Sequence, residues 1–295
     1  MEEGKRQGGM KMMKISGKTR LAGLYGLPTG HSISPAMHTA AFAARDFDAV
    51  YLSFDIAPEE LAASIQAIRS FQMVGVNVTM PYKREVIPYL DELSPAARLS
   101  GAVNTIVNCD QRLIGHNTDG VGFMRSLADE GIDPIGKEMT VLGTGGAATA
   151  IIVQAALDGV KKIHVFNRQK PSFAAVGTKL REIGQQTHCQ IELFDLADEA
   201  KLAYCLGNSC LVVNATSLGM KPEDPLPLPA ELLTENLAVM DLIYKPRQTK
   251  LLALAEAKGL KWGNGLGMLL YQGAAAFTLW TGKEMPLDVV RPLVV

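Results

Sequence analysis

From Arg20 onward the chain alternates short apolar runs with stretches whose apolar residues recur at helical spacing. Residues 21–26 (LAGLYG), 49–56 (AVYLSFDI) and 73–80 (MVGVNVTM) read as strands, and 35–44 and 59–71 between them read as helices. This β-α-β-α-β rhythm predicts a sheet covered by helices. Residues 103–107 and 113–115 add two short strands, and Cys109-Asp110-Gln111-Arg112 between them predicts a hairpin turn.

A second series begins after a helix over 120–130 and a break at Gly131, Pro134 and Gly136. It reads as strand 139–142, helix 147–157, strand 162–167, helix 172–184 and strand 190–194, then strands 211–214 and 239–242 on either side of a proline-rich segment, 222–229. The pattern predicts a Rossmann-type, doubly wound parallel sheet. A last helix over 268–280 carries Leu269, Gln272, Ala276 and Leu279 on one face. A glutamine in that stripe suits a helix returning to the first unit, with Gln272 at a cleft. The chain is therefore expected to be α/β throughout: a flexible leader over 1–19, a substrate and catalytic domain of mixed sheet from 20–119 plus 266–295, and a nucleotide domain over 120–265, with the cleft between the two domains.

Bulk properties narrow the function. The chain has 295 residues, 47% hydrophobic, with 29 basic against 30 acidic side chains and a formal net charge of −1. A charge so close to zero supplies no field for nucleic acid or an anionic membrane, which points to a small-molecule substrate. Four cysteines without a C-x-x-C pair or zinc spacing predict free thiols, no metal and a cytoplasmic location. The polar, Met-rich start reads as a leader without a secretory signal, and no run is apolar enough to span a bilayer. Exposed strand edges leave room for either a monomer or a homodimer.

Gly143-Thr144-Gly145-Gly146-Ala147-Ala148 follows a predicted strand and opens a predicted helix. Glycine there permits a tight turn and the close approach of a pyrophosphate to the positive helix N-terminus, so the loop predicts a dinucleotide site. At the tip of the next strand an NAD site would offer an acid to the ribose, whereas this chain has Asn167-Arg168-Gln169-Lys170. Arg168 and Lys170 can bind a 2′-phosphate through charge-assisted hydrogen bonds, which favours NADP over NAD.

Chemistry is suggested by Asn77-Val78-Thr79-Met80-Pro81-Tyr82-Lys83 and Asn117-Thr118-Asp119-Gly120. Each sets one charged side chain in apolar, strand-like sequence, among hydroxyl and amide groups that suit a polyhydroxylated ligand. Lys83 and Asp119 are candidates for moving a proton. His31 and His38 read as structural, with imidazoles bonded to backbone, and His116, beside Asn117, as structural or as a support behind the site. Ser32 and Ser34 also read as a helix N-cap before Pro35, and Tyr82 and Tyr271 as packing residues.

Taken in order, these motifs resemble the shikimate dehydrogenase family, including its quinate/shikimate branch, from Arg20 to the end. The resemblance rests on Gly26-Leu27-Pro28, His31 to Pro35 with His38, Asn77 to Lys83, Gly101 to Thr105, Asn117 to Gly120, Gly143 to Ala147, Asn214 to Ser217 and Gly265 to Leu269. It implies NADP-linked, reversible reduction of 3-dehydroshikimate to shikimate. It also implies that Ser32 and Ser34 hold the substrate carboxylate, with Tyr244 beside it, and that Thr79, Asn104, Asp119 and Gln272 hold ring hydroxyls. Leu242 and Gly265 would lie beside the nicotinamide. Two alternatives stay open at this point: a quinate/shikimate dehydrogenase using NAD as well, and a non-catalytic dinucleotide-binding regulator.

Overall fold

The computed structural model describes residues 14–294, so most of the expected leader lies outside the described residues. The chain forms two compact units, one of Met1–Glu92, Thr105–Gly115 and Ala276–Val295, the other of Leu93–Asn104 and His116–Ala275.

The first unit is built on strands β1 (Arg20–Gly26), β2 (Ala49–Asp55), β3 (Gly75–Val78), β4 (Glu92–Leu93), β5 (Thr105–Cys109) and β6 (Arg112–His116), ordered β2-β1-β3-β5-β6-β4. β1 pairs in parallel with both β2 and β3, while β3 pairs antiparallel with β5, so the sheet is mixed as expected. The β5–β6 turn forms because Asp110 and Gln111 both take left-handed φ, 50° and 72°, as a two-residue hairpin requires. Helices α1 (Ser34–Ala44) and α2 (Leu61–Ser70) cover the sheet. Phe42, Tyr51 and Phe277 are among its largest fully buried side chains, and the Trp280 indole donates to the Ile106 carbonyl at 3.0 Å.

The second unit carries β7 (Glu138–Leu142), β8 (Lys162–Asn167), β9 (Gln190–Asp195), β10 (Leu211–Asn214), β11 (Ala238–Asp241) and β12 (Trp262–Asn264) in the order β12-β11-β10-β7-β8-β9. Every pair in it is parallel. β10 (LVVN) and β11 (AVMD) are buried at every position, as strands covered on both faces must be. The chain runs outward through β7, β8 and β9 and then resumes at β10 on the other side of β7. The carboxyl ends of β7 and β10 therefore flank the topological switch, where open α/β sheets hold their ligands.

The units divide at places other than the expected 119/120 and 265/266, because close helix packing decides membership. Helix α3 (Pro95–Ser100) packs against α5 (Gly146–Leu157), and Gly120 of α4 (Asp119–Asp129) lies so close to α5 that an added Cβ would come 2.4 Å from the Ala150 carbonyl. A Cβ on Gly122 would likewise meet the Gln272 backbone N at 2.5 Å, which seats the first part of α6 (Gly265–Thr281) on α4.

Candidate active site

The glycine loop occupies the switch. Gly143 takes φ +104°, and a Cβ there would come 2.9 Å from the Ala215 carbonyl at the end of β10. Gly145 and Gly146 differ, because an added Cβ would meet nothing within 4 Å. Gly145 starts α5 without a side-chain cap, so the first amides of the helix and its positive dipole end face open space. Room, donors and dipole together fit a pyrophosphate.

The β8 tip is tied to this loop by Asn167, whose amide donates to Thr144 Oγ1 at 2.7 Å. Arg168, Gln169 and Lys170 are exposed beyond it, free to meet a phosphate. An acid does stand opposite Asn167 in the sheet register, Asp195 of β9, whose Oδ1 accepts the Ala197 N–H. The sequence could not place it there.

Beyond β10 and β11 lies a hydrogen-bond network that sequence reasoning missed. Asp241 is fully buried, and its Oδ1 accepts from Asn214 Nδ2 at 3.1 Å and from the Ile243 N–H at 3.1 Å. Its Oδ2 accepts from the Thr249 hydroxyl at 2.7 Å. Burial raises the carboxyl pKa, and those three donors oppose the rise. Asn214 Oδ1 in turn accepts from Thr216 N and Oγ1. Leu242 and Gly265 are seated by the same loops: Leu242 N–H donates to the Asn214 carbonyl at 3.0 Å, and Gly265 N–H to the Ile243 carbonyl at 3.3 Å. Tyr244, two residues on, is 40% exposed.

Asn104 and Asp119 do meet. Asn104 Nδ2 donates to Asp119 Oδ1 at 2.8 Å, while Asn104 Oδ1 accepts the Thr118 N–H at 2.8 Å and the Thr118 hydroxyl at 3.1 Å. Asp119 opens α4, where its charge suits the helix dipole, and its N–H donates to Asn117 Oδ1. Gln272 is half-buried on α6, its amide donating to the Leu269 carbonyl at 2.9 Å.

The other expected residues belong to the first unit. Ser32 Oγ accepts the Ser34 N–H at 3.2 Å, whereas the residue capping α1 is Ile33 and no side chain caps it, so the serines do not form the anticipated N-cap. Thr79 follows β3, its N–H donating to the Tyr25 carbonyl, and its carbonyl accepts the Tyr82 N–H. Lys83 is half-buried in the next turn, where Tyr82 and Val86 are buried. The Tyr82 hydroxyl donates to the Ile56 carbonyl, which fixes that turn on the end of β2.

His38 departs from its expected backbone bond. It is fully buried, stacked on Tyr51 with ring centroids 4.6 Å apart, and neither ring nitrogen has a hydrogen-bond partner. Burial pushes its pKa down to about 3. Tyr51 donates to Asn77 Oδ1 at 2.8 Å, and Asn77 Nδ2 donates to Thr105 Oγ1 at 3.0 Å.

Comparison with known proteins places the chain in a family. Residues 24–106 match the shikimate dehydrogenase substrate binding domain, and 265–294 match the shikimate 5′-dehydrogenase C-terminal domain. A shikimate dehydrogenase (NADP(+)) of Listeria innocua serovar 6a is 49% identical over 282 residues, 95% of this chain and 97% of that protein. The crystal structure of shikimate 5-dehydrogenase from Listeria monocytogenes in complex with shikimate and NAD has a TM-score of 0.92 at 48% identity, covering 96% of this chain and 99% of that one. A quinate dehydrogenase from Corynebacterium glutamicum in complex with NAD has a TM-score of 0.83 at 30% identity, covering 93% and 98%. Identity at that level over nearly the whole length, with the two domain matches, establishes that the chain belongs to the shikimate dehydrogenase family.

Proposed function

We propose that this protein is an NADP-dependent shikimate dehydrogenase, reversibly reducing 3-dehydroshikimate to shikimate in the biosynthesis of aromatic amino acids. The near full-length likeness to a shikimate dehydrogenase (NADP(+)) at 49% identity carries the choice of reaction. The unit containing the glycine loop is the NADP-binding domain, and the mixed-sheet unit supplies Lys83 and the two serines. The four cysteines are free thiols, in keeping with a cytoplasmic enzyme.

When bound, NADPH supplies the hydride for the ketone carbon. Lys83 gives a proton to the carbonyl oxygen as negative charge develops there, and takes one from the alcohol in the reverse direction. Asp119, already oriented by Asn104, accepts a hydrogen bond from a ring hydroxyl, and Thr79, Asn104 and Gln272 bind the other ring oxygens. Ser32 and Ser34 hold the substrate carboxylate, with Tyr244 beside it. Residues 143–147 and Asn167 hold the pyrophosphate end of the cofactor, Arg168 and Lys170 its 2′-phosphate, and Leu242 and Gly265 the nicotinamide end.

A quinate dehydrogenase is the less favoured reading, since the quinate enzyme above is only 30% identical. A regulator without turnover would have no use for a proton donor such as Lys83. Rates with NAD and NADP against shikimate and quinate test the proposal. The largest kcat/KM is expected for shikimate with NADP, and a larger value for quinate with NAD would refute it.

A further inference from the structure

We infer that Asp241 is a positioning residue for the nicotinamide end of the cofactor site, acting through the loops after β10 and β11. This rests on the dinucleotide reading of the glycine loop. Leu242 follows Asp241 directly in the chain, and the carboxylate is linked to both Leu242 and Gly265 by hydrogen-bond relays. Its Oδ1 fixes the Ile243 N–H, and the Ile243 carbonyl receives the N–H of Gly265. The same oxygen holds the Asn214 amide, and the Asn214 carbonyl receives the N–H of Leu242. Leu242 and Gly265 are thus two bonds removed from one buried carboxylate. They are also in intimate contact, since a Cβ on Gly265 would come 2.1 Å from the Leu242 carbonyl oxygen.

The network has a direction that only an anion satisfies fully. Three donors converge on Asp241, from Asn214, Ile243 and Thr249. With its amino group committed to Asp241 and the Leu218 carbonyl, Asn214 must present its oxygen to Thr216, and that choice sets the turn beside Ala215 and Gly143. An asparagine at 241 would put an N–H among donors. Either Asn214 turns over and releases Thr216, or one donor is left buried without an acceptor.

A stabilising role alone is a poor explanation for this acid. A carboxyl whose folded pKa lies above its unfolded value binds more protons when folded, so its contribution to stability falls as pH rises from the unfolded value of 3.8 through the folded one.

The test uses two variants and two probes. Asp241→Ala removes the acceptor of both bonds at Oδ1 and of the one at Oδ2; Thr249→Val removes the bond at Oδ2 alone, together with the Thr249 cap on the Leu252 N–H of the following helix. Dissociation constants are measured for NADP+ and for adenosine 2′,5′-bisphosphate, which has the phosphate-bearing adenosine half and no nicotinamide, alongside Tm. In Asp241→Ala, NADP+ affinity is expected to fall about tenfold or more, as for lost buried hydrogen bonds, with the bisphosphate unchanged. In Thr249→Val, Tm should fall while both affinities stay near wild type. Equal loss of both probes in Asp241→Ala, no loss of either, or a loss of NADP+ affinity in both variants that tracks Tm would overturn the inference. Wild-type protein binding neither probe would instead overturn the dinucleotide reading, and the inference with it.

Discussion

Asn104 holds Asp119 at 2.8 Å with its amide nitrogen while its oxygen takes the backbone N–H of Thr118, the residue just before that acid. One side chain thus fixes both the carboxylate and the backbone that carries it. Asn104→Ala removes both of these bonds and so loosens the hold on Asp119 and on the backbone before it. A cost of about 1–3 kcal/mol is expected, seen chiefly as a KM for shikimate raised about tenfold or more. An unchanged KM would show that Asp119 is oriented by something else.

Lys83 tests the chemistry itself. Lys83→Ala should lower kcat by about 10²–10⁴-fold, the usual range for a lost proton donor, with a smaller change in KM for shikimate. Steady-state rates with saturating NADP decide the matter: a kcat within a few-fold of wild type would remove this lysine from proton transfer.

Cofactor choice is expected to reside in the exposed residues after β8. Arg168→Ala should reduce kcat/KM with NADP by about 10–100-fold, for one or two charge-assisted hydrogen bonds, and leave the value with NAD almost unchanged. An equal loss with both cofactors would locate the arginine on a part of the dinucleotide that the two share.

The buried imidazole of His38 predicts a pH effect on stability. Its pKa is about 3 in the folded chain against 6.5 for the unfolded group, so the folded state binds fewer protons between those values. Stability from this residue is complete above about pH 6.5 and is lost as pH falls toward 3, at up to about 1.4 kcal/mol per pH unit. His38→Phe, which keeps a flat ring against Tyr51, should flatten the slope between pH 6.5 and 5 in denaturant titrations. An unaltered slope would mean that the proton goes elsewhere.

These expectations show what local pattern reveals and what it leaves out. Strands β8 and β10 were legible to the residue because apolar runs bounded by polar ends suffice to define them. The glycine loop was equally plain, since its chemistry is contained in six consecutive residues. Short helices escaped. Pro95–Ser100 is six residues long and is begun by Ser94, whose hydroxyl accepts the Ala97 N–H, while Glu199–Asn208 and Lys250–Ala257 rely on single caps by Asp198 and Thr249. The first and last of these are too short for a clear period. The Asn104–Asp119 bond and the Asp241–Asn214 bond join residues 15 and 27 apart in the chain, which no local reading connects. A signal for Asp241 did exist: an acid within the apolar run VMDLI, the same kind of misfit that drew attention to Lys83 and Asp119.

The two ends of the glycine loop answer to different masters. At Gly143 the neighbouring carbonyl forbids a side chain, so folding itself demands glycine there. At Gly145 and Gly146 the fold makes no such demand. Alanine at either of the latter should therefore fold as well as glycine, or slightly better through a less flexible unfolded chain, and reveal its cost only when a phosphate has to fit. Those two positions are where cofactor affinity can be retuned without touching the stability of the protein.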